Sequence, residues 1–320
     1  MIKVKNISND YILNDVSFEV SKGQLVCVVG ESGSGKSTLL NTIAGFEVPN
    51  VGSVYLRNED VTSLNVQQRK VGMVFQTPSL FGHMTVGQNL RFANNTLTTS
   101  EQEALLARVG LQDYRQSWPH ELSVGQQQLV ALLRAIAYGA DVILLDEPFA
   151  NLDITLRQQL RTEMLTLLKQ EKITALMVTH DCEDALAMAD HIIVMDDGAI
   201  IQQGTSQQLF ERPETIFVAK FFGPVQILNK EIAAFFGHHM PEEGILIVRD
   251  EDINVTKDEK SGYMACLVDN CTFQGKTSLL YLSSDVMQQA MRVQAVCGGD
   301  IPSVGDTVFL NLERVMHCQS

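Results

Sequence analysis

The stretch GESGSGKST, residues 30–38, combines three glycines with a lysine and a Ser-Thr pair, directly after the apolar run QLVCVV. It fits the pattern G-x-x-x-x-G-K-[ST] between a strand-like and a helix-like segment. Glycines allow backbone N–H groups to turn inward around phosphate oxygens, and the start of the next helix favours an anion. Lys36 at this spacing can reach the β- and γ-phosphates of a nucleotide, and the Ser37 hydroxyl can ligate Mg²⁺. The predicted nucleotide contacts in this loop are Gly30, Glu31, Ser32, Gly33, Ser34, Gly35, Lys36, Ser37 and Thr38.

A pair of acidic residues follows a second apolar run, in DVILLDEP (141–148). The run carries Asp146 and Glu147 to the end of a predicted buried strand. Asp146 can hold Mg²⁺ through water, and Glu147 can act on the attacking water. An acidic strand-to-turn junction is common, but a position roughly 110 residues after a phosphate loop favours the catalytic interpretation.

The elements around these motifs predict an α/β domain with a mainly parallel sheet, because apolar strand-like runs alternate with helix-like patterns. Strand-like runs early in the chain are IKVKNI, DVSFEV and QLVCVV, and later runs lie at 71–75, 141–146, 173–180 and 191–196. Helix-like patterns lie at roughly 36–44, 100–109, 124–138, 153–170 and 181–189.

The composition of the chain limits which partners it can bind and which cellular compartment it can occupy. The 320 residues carry a formal net charge of −14, from 24 basic and 38 acidic residues, which argues against nonspecific nucleic-acid binding. The six cysteines, including Cys297, form no CxxC pair and are expected to be reduced thiols. No apolar run approaches the ~20 residues that span a bilayer, and the first residues lack a signal-peptide core. We therefore expect a cytoplasmic protein, unless a partner holds it at a membrane.

The stretch LSVGQQQ (122–128) resembles the signature LSGGQ of the ATP-binding cassette (ABC) family of transport ATPases. The resemblance implies a P-loop NTPase cassette with a helical subdomain. It also implies that Ser123, Gly125 and Gln126 close over an ATP bound by the other subunit of a dimer. From the residues alone, this stretch is a helix N-cap with freed backbone amides. Val124 stands where the family often has glycine, and Leu129 stands where it usually has arginine.

Other landmarks of the family fall in order along the chain. Gln76 matches a glutamine that senses Mg²⁺ and the attacking water, and Asp153, in ANLD (150–153), matches a residue that faces the partner cassette. His180, in MVTHD, matches a histidine that contacts the γ-phosphate. Tyr11 is the local candidate for stacking on adenine, with a packed turn residue as the alternative. The resemblance thus implies Glu147, His180, Gln76 and Lys36 as catalytic residues, with Mg²⁺ held by Ser37, Gln76 and Asp146.

The C-terminal part of the sequence changes character and predicts a second domain. Short strand-like runs separated by turn residues predict a small all-β barrel or sandwich. We place the cassette at 1–235 and this domain at 236–320. IVRDEDINV (247–255) resembles a landmark of the accessory OB-like domain of importer ATPases, with Asp250 in place of proline. The resemblance implies a dimerisation or regulatory role.

The family resemblance implies a function in import. Two copies of the chain would bind two Mg-ATP at the cytoplasmic face of a bacterial inner membrane and drive a separate permease. A periplasmic solute-binding protein would deliver the solute to that permease. Segment 76–95 matches the permease-docking region, although Leu80, Phe81, Met84 and Val86 suit a core equally well. Iron(III) is the expected solute, with polyamine or sulfate as alternatives. A non-transport ABC ATPase, or a scaffold that binds ATP without turnover, is the rival reading.

Overall fold

The computed structural model describes residues 1–150, 152–275, 277–287, 290–296 and 301–319. Of the features named above, Asn151 in ANLD and Cys297 lie outside these residues. The chain forms two compact units, residues 1–206 and 207–320. The domain boundary at residue 235 stays a prediction. Within the described residues, no helix has both the length and the apolar character needed to cross a membrane.

The first unit contains strands and helices in alternation. Its strands are β1 (Ile2–Ser8), β2 (Val16–Val20), β3 (Leu25–Val29), β4 (Val51–Leu56), β5 (Glu59–Asp60), β6 (Gly72–Val74), β7 (Val142–Asp146), β8 (Thr174–Thr179), β9 (His191–Asp196) and β10 (Ala199–Gly204). Its helices are α1 (Lys36–Ala44), α2 (Val66–Arg69), α3 (Val86–Ala93), α4 (Thr99–Ala107), α5 (Val124–Ala137), α6 (Ile154–Gln170) and α7 (Cys182–Met188). Two 3₁₀ turns lie at Gln112–Tyr114 and Pro119–Glu121.

The predicted mainly parallel sheet is confirmed. Among the described residues it has six strands, in the order β10-β9-β3-β8-β7-β6, of which only β10 runs antiparallel to its neighbour. Every residue of β3 and β8 is buried, as expected of central strands covered on both faces. Because β3, β8, β7 and β6 are parallel neighbours, their carboxyl ends meet at one edge. That edge is where the sequence places the phosphate loop, His180, Glu147 and Gln76.

A second sheet shares the core of this unit. It is antiparallel, and in the described part of the chain its order is β2-β1-β4-β5. One buried cluster joins residues of both sheets with Leu39, Leu40 and Ile43 of α1. The helix that follows the phosphate loop is therefore held between two sheets, and its N-terminus is fixed at the edge of the parallel sheet.

Helices α3, α4 and α5 supply the predicted helical subdomain, and each begins with a reciprocal cap. Thr85, Thr98 and Ser123 each accept a hydrogen bond from the backbone N–H three residues on. A glutamine or glutamate at that position accepts in return from the cap residue's own N–H. These two bonds satisfy amides that the helix leaves without a partner. The predicted helix at 124–138 is confirmed as α5, whereas α3 was missed because it spans barely two turns.

The second unit is largely β structure, as the sequence predicts. Its elements are α8 (Ser206–Glu211), which spans the division between the units, α9 (Ile216–Phe221), β11 (Val225–Ile227), α10 (Lys230–Phe235), β12 (Ile245–Arg249), β13 (Ile253–Thr256), β14 (Met264–Phe273), β15 (Thr277–Ser283), β16 (Met291–Val296), β17 (Thr307–Leu312) and β18 (Met316–Cys318). The described strands form sheets in the orders β13-β17-β14-β15-β16 and β11-β12-β18. Burial alternates along Met264–Val268 of β14, so one face of the larger sheet carries the core.

Asp250 occupies the position where the resemblance expects proline, and it is buried just after β12. Its Oδ1 accepts a hydrogen bond of 2.8 Å from Gln226 Nε2. The preceding Arg249 is also buried and donates to the carbonyl oxygens of Phe210 and Ala219. A polar cluster inside this unit thus accommodates a carboxylate at this position.

Candidate nucleotide site

The phosphate loop runs from the end of β3 to the start of α1 with a backbone that requires glycine. Gly30, Gly33 and Gly35 have φ values of 155°, 89° and 95°. A Cβ at Gly30 would lie 2.1 Å from the carbonyl oxygen of Met195 in β9, whereas one at Gly33 would meet none of the described atoms within 4 Å. The first glycine is therefore needed for packing, and the middle one for backbone conformation and open access to the loop.

Lys36 lies inside the loop that precedes it. Its Nζ donates to the carbonyl oxygens of Gly30 (2.8 Å) and Glu31 (2.7 Å) and to Ser34 Oγ (3.3 Å). All three acceptors are uncharged, and the side chain is buried. Burial lowers the pKa of the ammonium group, and nearby Glu147 opposes that shift. A buried cation whose acceptors among the described residues are neutral favours an anion in this loop, as a nucleotide triphosphate would supply.

The acidic pair follows β7, where the backbone turns sharply. Glu147 has a φ of 43°, in the left-handed region that non-glycine residues rarely adopt. Its N–H donates to the carbonyl oxygen of Val178 in β8, at 3.0 Å. This turn aims the carboxylate at the residue after β8, and Glu147 Oε1 lies 2.9 Å from His180 Nδ1. The structure thus brings together two residues that the sequence places 33 positions apart.

The predicted Mg²⁺ ligands supply oxygen donors of the kind that Mg²⁺ prefers. Asp146 is half-buried, and its pKa is raised first by burial and then by the adjacent Glu147. Two carboxylates held side by side in a partly desolvated position are stabilised by a cation. Ser37, in the first turn of α1, and Gln76, after β6, are both exposed. The residues present therefore fit a divalent cation at this edge.

Gln128 was not singled out by sequence reasoning, although it lies in the QQQ run of the signature. Its side chain is buried, and Nε2 donates to the carbonyl oxygens of Phe75 (3.1 Å) and Gln76 (2.9 Å). Helix α5 is thereby joined to the segment that carries Gln76. The available signal was a polar residue on the otherwise apolar buried face of this helix.

The signature turn bonds mainly within itself. Ser123 Oγ accepts from the Gln126 N–H at 3.3 Å, and Gln126 Oε1 accepts from the Ser123 N–H at 2.9 Å. Gly125 is buried, and a Cβ there would lie 3.1 Å from Leu156 Cδ1. Val124 is 49% exposed, so a side chain is accommodated where the family often has glycine. The turn leaves the first amides of α5 available to an anion from outside the chain.

Asp153 and Tyr11 both lie at the surface. Asp153 is exposed and caps α6, since its Oδ1 accepts from the Leu156 N–H at 3.0 Å. Tyr11 is 66% exposed, and its hydroxyl donates to a carboxylate oxygen of Glu47. That bond raises the pKa of the tyrosine hydroxyl. The exposed ring of Tyr11 rules out the alternative of a packed turn residue, while its stacking on adenine stays a prediction.

A glycine loop after a buried strand, with an acidic pair after another strand of the same parallel sheet, defines a P-loop nucleotide-binding protein. Residues 13–150 match the ABC transporter family. The Fe(3+) ions import ATP-binding protein FbpC of Escherichia coli K12 is 32% identical, over 96% of this chain and 93% of its own. The sulfate/thiosulfate import ATP-binding protein CysA of Pseudomonas syringae is 34% identical over 96% and 97%. The chain belongs to the ABC transporter family and is one of its ATP-binding, ATP-hydrolysing cassettes.

Solved structures agree with this assignment. CbiO1 of Clostridium perfringens, part of the transporter complex CbiONQ, is 27% identical with a TM-score of 0.61, over 65% of this chain and 89% of its own. The dimeric structure of MJ0796, a bacterial ABC transporter cassette, is 29% identical with a TM-score of 0.56, over 64% and 99%. The expected fold and family are therefore confirmed.

Proposed function

We propose that this chain is the ATPase subunit of an import system, in which two copies close around two Mg-ATP and drive a separate membrane permease. The observation that carries the proposal is the 2.9 Å contact between Glu147 and His180. It lies at the carboxyl ends of β7 and β8, and the phosphate loop follows β3, the neighbour of β8. A base, its orienting partner and a phosphate cradle thus share one edge of the sheet.

Each side chain at that edge has a chemical role in hydrolysis. Glu147 takes the proton of the attacking water, and His180 orients its carboxylate and contacts the γ-phosphate. Lys36 stabilises the charge that develops on the transferred phosphoryl group. A Mg²⁺ ion held by Ser37, Gln76 and Asp146 would supply further charge compensation for the phosphates.

The turn that begins α5 completes the site of the partner cassette. Ser123 is exposed, and the N–H groups of the first helical turn have no intrahelical acceptor. These groups and the helix dipole suit the γ-phosphate of a nucleotide bound on the other copy. The dimeric structure of the relative MJ0796, a bacterial ABC transporter cassette, supports a dimer of this chain.

The dimer mechanism is tested by Glu147→Gln, which keeps the shape of the side chain but removes the base. We expect ATP turnover to fall at least ~100-fold, and ATP to hold the variant as a dimer in size-exclusion light scattering. Glu171→Gln is the matched control, because Glu171 pairs with Arg108 at the far end of α6. If Glu147→Gln remained monomeric at saturating ATP, the proposed dimer mechanism would be wrong.

Segment 76–95 is the surface we assign to the permease. Val86 belongs to the core, but Leu80, Phe81 and Met84 are only half-buried, and Phe92 is 62% exposed. Phe81 and Phe92 line a groove of about 270 Å³ with Tyr138 of the α5 C-terminus. Such an apolar groove between a strand edge and two helices suits an amphipathic segment of a partner protein.

Phe92→Glu tests this surface. A carboxylate in the groove is expected to weaken copurification with the permease at least ~10-fold, since aromatic anchors dominate such interfaces. Phe273→Glu is the matched control, because Phe273 is 63% exposed and lies on β14 of the other unit. Equal copurification of both variants would remove segment 76–95 as the docking surface.

Iron(III) is the solute we propose, and sulfate is the second candidate. The relatives compared over nearly the whole chain include an Fe(3+) import protein and a sulfate/thiosulfate import protein. Cells lacking the gene are expected to lose uptake of radioactive iron(III) and keep uptake of radioactive sulfate. The opposite pattern would assign sulfate instead. The subunit acts at the cytoplasmic face of the bacterial inner membrane, where the permease holds it.

A further inference from the structure

Arg157, in the first turns of α6, connects two loops that sequence reasoning treated separately. Its Nε and Nη2 donate to the carbonyl oxygen of Phe149, at 3.3 Å and 3.1 Å. Its Nη1 donates to a carboxylate oxygen of Asp181. Phe149 comes two residues after Glu147, and Asp181 comes directly after His180. One guanidinium group therefore holds the turns that carry both members of the Glu147–His180 pair.

Both acceptors of Arg157 are themselves held in place. Phe149 is fully buried, so its carbonyl group is anchored by its own side chain. Asp181 is the N-cap of α7 and accepts from the N–H groups of Glu183 (2.8 Å) and Asp184 (3.3 Å). Burial acts to raise the pKa of Asp181, but these backbone bonds and Arg157 outweigh it and lower the pKa. The lowered pKa favours the carboxylate form of Asp181, which forms an ion pair with Arg157.

We infer that Arg157 is a positioning residue, which sets the distance between Glu147 and His180 by fixing the turn behind each of them. The inference rests on the roles proposed for Glu147 and His180. The planar fork of arginine reaches both acceptors at once, which a single ammonium group cannot do. Arg157 N also donates to the carbonyl oxygen of Asp153, at 2.9 Å. Arg157 therefore lies one helical turn after Asp153, the cap residue that is expected from the family resemblance to face the partner cassette.

A second arginine on the same helix contacts the turn that carries His180 only indirectly. Arg161, one turn further along, donates through Nε to Asp184 Oδ1 at 2.5 Å. Asp184 is buried inside α7, and its Oδ2 accepts a hydrogen bond of 3.4 Å from Thr179 Oγ1, in the residue before His180. Arg161 therefore reaches the His180 turn only through Asp184, whereas Arg157 bonds directly to the turn after Glu147 and to the turn after His180.

The test compares Arg157→Gln with the matched control Arg108→Gln. Arg108 pairs with Glu171 at the other end of α6, so each variant removes one arginine–carboxylate contact of this helix. We expect Arg157→Gln to lower kcat for ATP at least ~10-fold, with KM changed less than about 2-fold, because misplaced reacting groups slow the chemical step without weakening ATP binding. Arg157→Lys keeps the charge and is expected to recover part of kcat. Arg108→Gln is expected to keep wild-type kcat.

The result that overturns the inference is a wild-type kcat for Arg157→Gln, or a loss no larger than in Arg108→Gln. If Arg157→Gln does not fold, Asp181→Asn serves as the same test. The asparagine amide oxygen can still cap α7, but the ion pair with Arg157 is lost. Glu147→Gln and His180→Ala in the same assay distinguish failure of the proposed catalytic site from failure of the positioning role of Arg157. Full turnover in these two would refute the proposed site, and the positioning role with it. Their inactivity beside a fully active Arg157→Gln would refute the positioning role alone.

Discussion

Alanine at Gly30 and alanine at Gly33 are expected to have unequal effects, although both positions belong to one phosphate loop. Both have positive φ, 155° at Gly30 and 89° at Gly33, so alanine is strained at either position. The surroundings differ. In the part of the chain that the structure describes, a Cβ at Gly33 would meet no atom within 4 Å, whereas one at Gly30 would lie 2.1 Å from Met195 O and 2.8 Å from Ser34 Oγ. The first contact is with backbone, which cannot rotate away.

The magnitudes follow from these contacts. Backbone strain alone costs about 1–2 kcal/mol, which is the whole expected effect of Gly33→Ala. For Gly30→Ala, the Met195 carbonyl must retreat by about 1 Å, in a close-packed core. Met195 belongs to β9, which pairs with β3 through Val29 and Val194, so the shift disturbs the sheet. Overpacking of this kind adds about 1–3 kcal/mol, so the expected loss is about 2–5 kcal/mol, with a midpoint near 3.5 kcal/mol.

Scanning calorimetry without nucleotide measures this difference, because ATP binding would add its own contribution to stability. For a unit of this size, each kcal/mol lowers Tm by about 2–4 °C. We expect Gly30→Ala to melt about 10 °C below the wild type, and Gly33→Ala about 4 °C below it. Equal shifts for the two variants, or a larger one for Gly33→Ala, would refute the assignment of packing to the first glycine and conformation to the second.

Three further results are expected. Gln128→Leu should lower both Tm and kcat, because it leaves the carbonyl groups of Phe75 and Gln76 without their donor. Calorimetry measures the Tm and a steady-state assay measures kcat. Unchanged values would contradict a role for Gln128 in holding the segment that carries Gln76. Tyr11→Phe should keep nucleotide affinity and Tyr11→Ala should weaken it about 10-fold, if the ring stacks on adenine, as fluorescent-nucleotide titration measures; equal affinities would exclude stacking. Burial raises the pKa of the Cys266 thiol to about 11, so thiol reagents at pH 8 should label it only after unfolding, and rapid labelling of the folded protein would contradict its burial.

The parts of the site that the sequence predicted are those with local causes. The phosphate loop is recognisable because three glycines, a lysine and the flanking strand and helix lie within twenty residues. The strand β7 and its acidic end were predicted for the same reason. The helix at 36–44 is confirmed with both ends unchanged, because a glycine with positive φ flanks it on each side.

The contacts that sequence reasoning missed depend on residues far apart in the chain. Gln128 reaches back 52 residues to the Gln76 carbonyl, and Arg157 reaches forward 24 residues to Asp181. Arg157 has no local pattern, because polar residues in an amphipathic helix usually face solvent, and the signal for Gln128 was only its position on the buried face of α5. Only the packing of α5 and α6 against the ends of the strands shows what these side chains touch.

Segment 76–95 illustrates a limit of periodicity in short helices. The sequence left Val86 and its apolar neighbours equally open to core and surface. Helix α3 resolves the ambiguity, because it turns Val86 and Leu90 inward and leaves Phe92 exposed. With eight residues, the helix has too few repeats for a 3.6-residue pattern to stand out, while the reciprocal cap of Thr85 and Gln88 marks its start.

The order of the strands, which no motif encodes, is what makes the separate motifs a single site. β3 and β8 are almost 150 residues apart in sequence, yet they pair in parallel from Leu25↔Ala175 to Val29↔Thr179, so Gly30 and His180 follow the same rung of the ladder. β7 joins the other side of β8 with Asp146 opposite Val178. Glu147 then bonds to the Val178 carbonyl, and its left-handed backbone returns the carboxylate to His180. The sequence could therefore name the proposed catalytic residues, whereas their distance of 2.9 Å depends on strand register and on one strained residue.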